Sequence, residues 1–405
     1  MRHPVTGETI DECLVAFFKA PASYTGEDVV EIYAHGNPLI LEKLCDASKA
    51  AGARMAEPGE FTKRAFLNGK MDLSQAEAVQ EVIFASTELS LKAARERLRG
   101  GLGEVARKLR SSLLDALVHL EAAVDFPEEE IEIFSEGKVA EILEESEKAV
   151  RKLLDSANVG RILSEGARIT ICGRPNVGKS KLLNALLKEE RAIVSDVPGT
   201  TRDFISEMMN VGGIPVRVID TAGIRGEWGD AIEREGITRS AKVIEDADLI
   251  LFVVDGSEPL TPDDDVAFGL VRGRSYVLVL NKLDLGLVVE PVRFSNDPGC
   301  RGVIRISAKT GEGIRELEEA IRKTLTGGRG FLEGEVLVSN LRQKELLEKA
   351  LAALARARDA LRRGESPEFA TIDVKEAAKS IGEIVGEITT EDVLEKIFST
   401  FCIGK

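Results

Sequence analysis

The chain has 405 residues, 43% hydrophobic and 30% charged, with a formal net charge of −15. That length suits two or three domains with their own cores, and no apolar run of about eighteen residues marks a membrane span. The acidic balance works against broad non-specific nucleic-acid binding, so no DNA partner is expected and an RNA partner needs a local basic patch or a second protein. Leu14–Phe18 and Val29–Tyr33 read as strands joined by the turn Ser23–Asp28. From Leu39 to Ala50, apolar Leu41, Leu44 and Ala47 have helical spacing, and Pro58–Thr62 reads as a turn into a short helix. The pattern is then helical from Ser74 to about Val124, with Gly100-Gly101-Leu102-Gly103 as its one break. Between Glu128 and Val150, nine Glu and two Lys surround Val139, Ile142, Leu143 and Val150, which predicts a solvated helix face.

Residues 167–327 alternate strand and helix patterns, as a doubly wound, mainly parallel sheet does. The strand candidates are Arg168–Cys172, Val216–Ile219, Leu249–Val254, Tyr276–Leu280 and Val303–Ile306, most of them continuous apolar runs that imply burial on both faces. Thr326–Gly330 reads as a linker. Helical spacing returns with Leu347, Leu351, Leu354 and Leu361 until Gly364, then from Val374 to Val385, and Thr390 is placed to cap a last helix with Glu391 and Asp392 in its first turn. Helices on both sides of an α/β unit suggest one helical domain interrupted by an inserted domain.

The inserted unit carries the chemistry. Gly173-Arg174-Pro175-Asn176-Val177-Gly178-Lys179-Ser180 fits the phosphate-loop pattern G-x-x-x-x-G-K-[ST] between a strand and the helix opened by Lys181. Backbone N–H groups of Asn176 to Lys181 can cradle phosphates, Lys179 can reach the outer ones, and the Ser180 hydroxyl can face magnesium. Gly199-Thr200-Thr201-Arg202-Asp203 lies in a loop after that helix, where Thr201 can complete the magnesium shell. Asp220-Thr221-Ala222-Gly223 follows a strand, so Asp220 can hold magnesium through water and the Gly223 N–H can sense the γ-phosphate. Asn281-Lys282-Leu283-Asp284 follows another strand, and the Asp284 carboxylate can accept from guanine N1–H and the exocyclic amine, which adenine lacks in that arrangement. Ser307-Ala308-Lys309 ends the last strand, where a backbone N–H can bind guanine O6. Each short motif is weak alone; five in order at strand ends predict a GTP-binding, GTP-hydrolysing domain. Ile224 follows Gly223 where glutamine orients water in Ras-like proteins, so another group must do so.

Further blocks carry a resemblance. Tyr24–Asp28, Pro58-Gly59-Glu60-Phe61-Thr62-Lys63-Arg64-Ala65-Phe66-Leu67-Asn68-Gly69-Lys70, Asp72–Ala78, Asp125–Glu129 and the terminal Cys402-Ile403-Gly404-Lys405 resemble the MnmE (TrmE) family of TrmE-Era-like tRNA modification GTPases, from about residue 5 to the end. The resemblance implies a P-loop GTPase domain at 167–327 inserted in an all-α domain at 74–166 and 328–405. It places a partial α+β N-terminal domain for folate binding and dimerisation at 1–73. It implies potassium in place of an arginine finger, held by Asn176 and the loop Ser195-Asp196-Val197-Pro198-Gly199-Thr200, with Ser195, Val197 and Thr200 as further ligands. Glu233 matches the family glutamate that orients the hydrolytic water; read alone it is an ordinary helix glutamate. Glu31, Lys70 and Lys405 match family contacts to 5-formyl- or 5,10-methylene-tetrahydrofolate; read alone they are an exposed strand residue, a turn lysine and a chain end. The family pattern begins about fifty residues earlier, which implies a missing N-terminal segment.

The function so implied is a magnesium- and potassium-dependent cytoplasmic GTPase, a homodimer working with the flavoprotein MnmG (GidA) on C5 of the wobble uridine of tRNA. FAD and NADH belong to that partner, since this chain has no G-x-G-x-x-G loop. The rival reading is an Era-like switch acting on RNA or ribosomes without modification chemistry. The five scattered cysteines form no C-x-x-C pair, which argues against a disulfide framework or zinc site and suits a reducing cytosol. Cys402 has no evident base beside it in sequence, and His35 is expected to be structural.

Overall fold

The computed structural model describes residues 1–125, 136–189, 207–219, 244–328 and 335–404. These form two compact units: Met1–Gln80, Arg97–Glu147 and Lys349–Lys405 in the first, Glu81–Glu96 and Lys148–Glu348 in the second.

The first unit opens with strands β1 (Leu14–Phe18) and β2 (Val29–Tyr33), paired antiparallel from Leu14↔Tyr33 to Phe18↔Val29. The helix Pro38–Ala50 starts where expected because the Asn37 side chain accepts from the Leu39 N–H and Pro38 fixes the first helical φ. Its buried face is Leu44 and Ala47 only; Leu41, which shares their helical spacing, is 48% exposed. The short helix Glu60–Leu67 follows. Leu73, Ala76, Leu394, Phe398 and Phe401 then form one apolar cluster, to which the helices Leu73–Phe84 and Glu391–Phe398 both contribute. Thr390 stands at the N-cap of the latter, but its side chain makes no capping hydrogen bond.

The predicted helical stretch after Ser74 has a second break at residues 85–87, between the helices Leu73–Phe84 and Glu88–Leu98. There the Thr87 and Ser90 hydroxyls each accept from the other's backbone N–H, a reciprocal cap that starts the new helix. The helix Gly101–Asp125 packs along Pro367–Val385, with Arg110–Glu387 (2.6 Å) and Lys375–Glu121 (2.7 Å) at the margins. Pro367 starts that second helix seven residues before the expected Val374, Pro again favouring the first helical position. In the helix Leu341–Arg362, Leu347 and Leu354 are buried as expected, but Leu351 and Leu361 only partly. Ala350, Ala353, Ala357 and Ala360 complete its core face.

The acidic stretch also departs from expectation. Within the helix Glu136–Glu165, Glu141, Glu144 and Glu145 are exposed, but Glu147 is buried and accepts from the Arg358 guanidinium with both oxygens at 2.7 Å. The guanidinium charge, whose Nη1 reaches both oxygens, is what makes burial of that carboxylate tolerable.

Glu60 carries the clearest pH consequence. Arg54 first, then the Glu57 N–H and Arg64, hold its carboxyl down to about 2 from an ordinary value near 4.5. Its side chain is 13% exposed, while Arg54 and Arg64 are 63% and 46% exposed, so solvent screens much of the gain. A depressed carboxyl stabilises the fold fully above pH 4.5 and loses that contribution as pH falls towards 2. Glu60→Gln is therefore expected to cost about 1 kcal/mol at neutral pH and nothing near pH 2, read as Tm against pH. A pH-independent deficit would contradict it.

The second unit is built on a six-stranded sheet. Its strands are β3 (Ala167–Cys172), β4 (Glu207–Val211), β5 (Ile214–Val218), β6 (Leu249–Asp255), β7 (Tyr276–Asn281) and β8 (Cys300–Arg305), in the order β4-β5-β3-β6-β7-β8. All neighbours run parallel except the hairpin β4–β5, which turns through Gly212 and Gly213 at φ 56° and 88°. The period of two divides each central strand between two cores. Leu249, Leu251, Val253, Val277 and Val279 face one core with Leu182, Leu186, Leu317 and Ile321 from the helices Lys179–Glu189 and Ile314–Thr326. Ile250, Phe252, Val254, Tyr276, Leu278 and Leu280 face the other with Phe268, Val271 and Phe294. Burial on both faces explains the continuous apolar runs. Among the described residues no helix is long and apolar enough to cross a membrane.

Candidate nucleotide-binding site

In this strand order the chain leaves β3 towards β5 and later returns to its other side at β6. That reversal opens a crevice beyond the C-terminal end of β3, where ligands of such sheets sit. The phosphate loop fills it. Gly173, Asn176 and Gly178 have φ of 152°, 64° and 100°. A Cβ on Gly178 would lie 2.3 Å from Asn281 Nδ2, and one on Gly173 would lie 2.2 Å from the Val253 carbonyl. Glycine is thus required at both ends of the loop by close approach as well as by φ. The loop runs into the helix Lys179–Glu189, whose first N–H groups point back to the crevice.

Lys179 is half-buried, and its ammonium donates to the Gly173 carbonyl at 2.8 Å and the Arg174 carbonyl at 2.9 Å. Burial holds its pKa below the ordinary lysine value. Ser180 and Lys181 are exposed at the helix start, Asn176 is exposed in the loop, and Val177 is buried beneath it.

The base side of the crevice is tied to the phosphate side by one residue. Asn281 is buried at the end of β7; its Nδ2 donates to the Val177 carbonyl at 2.7 Å and its Oδ1 accepts from the Ala308 N–H at 3.0 Å. Asp284 accepts from the Ser307 hydroxyl at 2.7 Å, and Lys309 Nζ lies 3.6 Å from its other oxygen. The Ser307 hydrogen bond, with Lys309 adding to it, holds the Asp284 carboxyl below its ordinary range. Ser307 in turn accepts from the Thr310 N–H at 3.2 Å. Phosphate loop, base loop and final loop are therefore one hydrogen-bonded assembly.

The structure brings together Asn176, Val177, Gly178, Lys179, Ser180 and Lys181 with Asn281, Lys282, Asp284, Ser307, Ala308 and Lys309. Ser195, Asp196, Val197, Pro198, Gly199, Thr200, Thr201, Asp220, Thr221, Ala222, Gly223, Ile224, Glu233 and Lys405 lie outside the described residues. Four residues outside the predicted contacts hold the site. Arg174 Nε lies 3.1 Å from buried Asp264 and Nη2 3.1 Å from Glu258, while Asp255 at the end of β6 pairs with Lys282 at 2.5 Å. The available signal was Val253-Val254-Asp255, a carboxylate ending a central apolar strand beside the switch point.

In the first unit, blocks far apart in sequence meet. The Tyr24 hydroxyl lies 3.0 Å from the Thr62 hydroxyl, Asn68 Nδ2 donates to the Thr25 carbonyl at 2.8 Å, and Arg64 pairs with Glu27 at 3.0 Å. The Gly59 N–H donates to the Cys402 carbonyl at 3.4 Å, and Pro58 bridges Ile403. Gly59 has φ 65°, and a Cβ there would meet the Phe398 carbonyl at 2.9 Å, so only glycine fits. Glu31 is exposed and accepts from the Tyr33 hydroxyl; Lys70 is exposed and donates to the Pro21 carbonyl at 3.0 Å. His35, 77% exposed, lies 3.0 Å from Asp11.

A profile described as the MnmE helical domain matches residues 73–402, and one described as the GTP-binding protein TrmE N-terminus matches residues 1–70. A relative named tRNA modification GTPase MnmE from Aquifex aeolicus (strain VF5) is 47% identical over 400 residues, covering 98% of this chain and 88% of the relative. One of the same name from Heliobacterium modesticaldum is 46% identical over 409 residues, covering 100% and 88%. The solved structure of Aquifex aeolicus Era bound to GDP.AlF4- is 29% identical over 46% of this chain and 66% of that one, with a TM-score of 0.31. On the sequence relatives and the helical-domain profile, the chain belongs to the MnmE family of tRNA modification GTPases.

Proposed function

We propose that this chain binds and hydrolyses GTP and, with the flavoprotein MnmG, modifies C5 of the wobble uridine of tRNA, adding an aminomethyl or carboxymethylaminomethyl group. The observation that carries the GTP part is Asn281, whose two hydrogen bonds join the phosphate loop at Val177 to the final loop at Ala308, next to the Ser307 hydroxyl that donates to Asp284. The tRNA part rests on the names of the relatives.

In this reading Lys179 and the loop N–H groups bind the phosphates, Asp284 selects guanine, and the Ala308 region receives guanine O6. Glu233 orients water and Thr201 closes over the γ-phosphate. Ser180, Thr201 and Asp220 would hold magnesium, and Asn176 with Ser195, Val197 and Thr200 would hold potassium. Hydroxyl, amide and carboxylate oxygens suit hard cations, and among the described ligands Asn176 and Ser180 present such oxygens at the exposed rim of the loop. Bound there, the cations would supply positive charge beside the β- and γ-phosphates. The GTPase domain comprises 167–327, flanked by the two parts of the helical domain. The cytoplasmic location, the homodimer and the tetrahydrofolate site near Glu31, Lys70 and Lys405 belong to the same proposal.

Turnover measured with magnesium in equimolar potassium or sodium, with and without the flavoprotein, tests it. Hydrolysis is expected to be about tenfold or more faster in potassium. Equal rates would remove the cation assignment, and intact wobble-uridine modification after gene deletion would remove the tRNA role.

A further inference from the structure

Asp255 lies outside every motif picked out in the sequence, yet it is 2% exposed and sits between the two loops that would grip the nucleotide. Its Oδ2 is 2.5 Å from Lys282 Nζ and 4.0 Å from Arg174 Nη2. Its Oδ1 accepts from the Ser257 N–H at 3.0 Å and hydroxyl at 2.7 Å. Burial pushes the Asp255 carboxyl up, but the bonds from Lys282 and Ser257 outweigh it and keep the group below its ordinary value, hence charged at neutral pH.

The two cations come from opposite ends of the site. Lys282 is the second residue of the base loop and has φ 70°, a left-handed conformation unusual for a side chain other than glycine. Its ammonium ends on Asp255, so the carboxylate is the tether for that turn. Arg174 is the first variable residue of the phosphate loop, and its guanidinium is also held by Asp264 and Glu258. The Gly256 N–H, next in sequence to Asp255, donates to the Asn281 carbonyl at 2.8 Å, which fixes the same strand end to the base loop.

We infer that Asp255 is a positioning residue for guanine-nucleotide binding, holding Lys282 and Arg174 so that base loop and phosphate loop keep one spacing. The inference rests on the GTP-binding reading above. Asp255→Asn preserves shape and the Ser257 bonds but leaves two partly buried cations without their shared counter-charge.

The experiment follows release of a fluorescent GDP analogue from the full chain, together with steady-state GTP hydrolysis. For Asp255→Asn, release is expected about tenfold faster and KM for GTP about tenfold higher, with kcat at saturation within about twofold of wild type. In a Lys282→Met background the same substitution is expected to add less than about threefold, because one partner charge is already gone. If Asp255→Asn does not fold, Lys282→Met and Arg174→Gln test the link from its outer ends. Each is expected to speed release, with the double variant falling short of the product because both act through Asp255. Unchanged release, equal effects in both backgrounds, a fully multiplicative double variant, or a fall in kcat at constant KM would overturn the inference. A wild-type chain that fails to retain the GDP analogue would instead overturn the GTP-binding reading on which it stands.

Discussion

Asp284→Asn is expected to cut GTP affinity at least about a hundredfold and to give xanthosine triphosphate the advantage, because a site built to hydrogen-bond one base edge rejects a mismatched edge strongly. The Asp284 carboxylate is oriented by the Ser307 hydroxyl at 2.7 Å, which leaves lone pairs free for guanine N1–H and its exocyclic amine. An asparagine can keep the Ser307 bond through Oδ1, so the loop should hold its shape. Its amide N–H₂ then faces the guanine amine, donor against donor. Xanthine carries a carbonyl oxygen at that position and accepts from the amide instead. Competition of GTP and XTP against a fluorescent nucleotide reads the switch directly. An unaltered preference for GTP would remove Asp284 from base selection and leave the guanine reading resting on the backbone near Ala308.

Most of the sheet was legible because its central strands are buried on both faces. Leu249–Val254 and Tyr276–Leu280 are unbroken apolar runs whose alternate residues enter opposite cores. β4 escaped notice because Glu207-Met208-Met209-Asn210-Val211 mixes polar and apolar residues at a sheet edge, although Gly212-Gly213 after it is a hairpin signal. Helix ends were read less well than helix faces. The break at 85–87 is made by Thr87 and Ser90 bonding each other, a pair without the acidic or amide residue that usually marks such a cap. Glu147 could not be read as buried at all, since its partner Arg358 stands on a distant helix.

The candidate site divides in the same way. Glycines at 173 and 178, Lys179, Asn281 and Asp284 follow from spacing, because phosphate and guanine chemistry demand those residue types at strand ends. What spacing does not reveal is that Asn281 spends both ends of its amide on Val177 and Ala308, so its place in the motif reflects scaffolding. Nor does it reveal that Arg174, an unremarked position in the loop, is held by carboxylates from two other segments. Such partners are long-range in sequence and become visible only when the sheet assembles them.

Lys179→Met should separate binding from folding. Its ammonium donates to two loop carbonyls at 2.8 and 2.9 Å from a half-buried position, and burial already holds its pKa down. Replacing it with an apolar side chain of similar length loses those bonds but also removes the cost of partly desolvating a charge. Stability is therefore expected to stay within about 1 kcal/mol of wild type. Affinity for GTP should fall at least about a hundredfold, since the site loses the one lysine charge its loop aims at the outer phosphates. Nucleoside binding without phosphates should be untouched, because Asp284 and Ala308 lie on the other loops. Thermal unfolding without nucleotide, paired with titration of GTP and of guanosine, resolves the three effects. A variant that binds GTP normally would show that the loop N–H groups and helix terminus suffice, and a variant that unfolds would show that Lys179 is held there to close the loop.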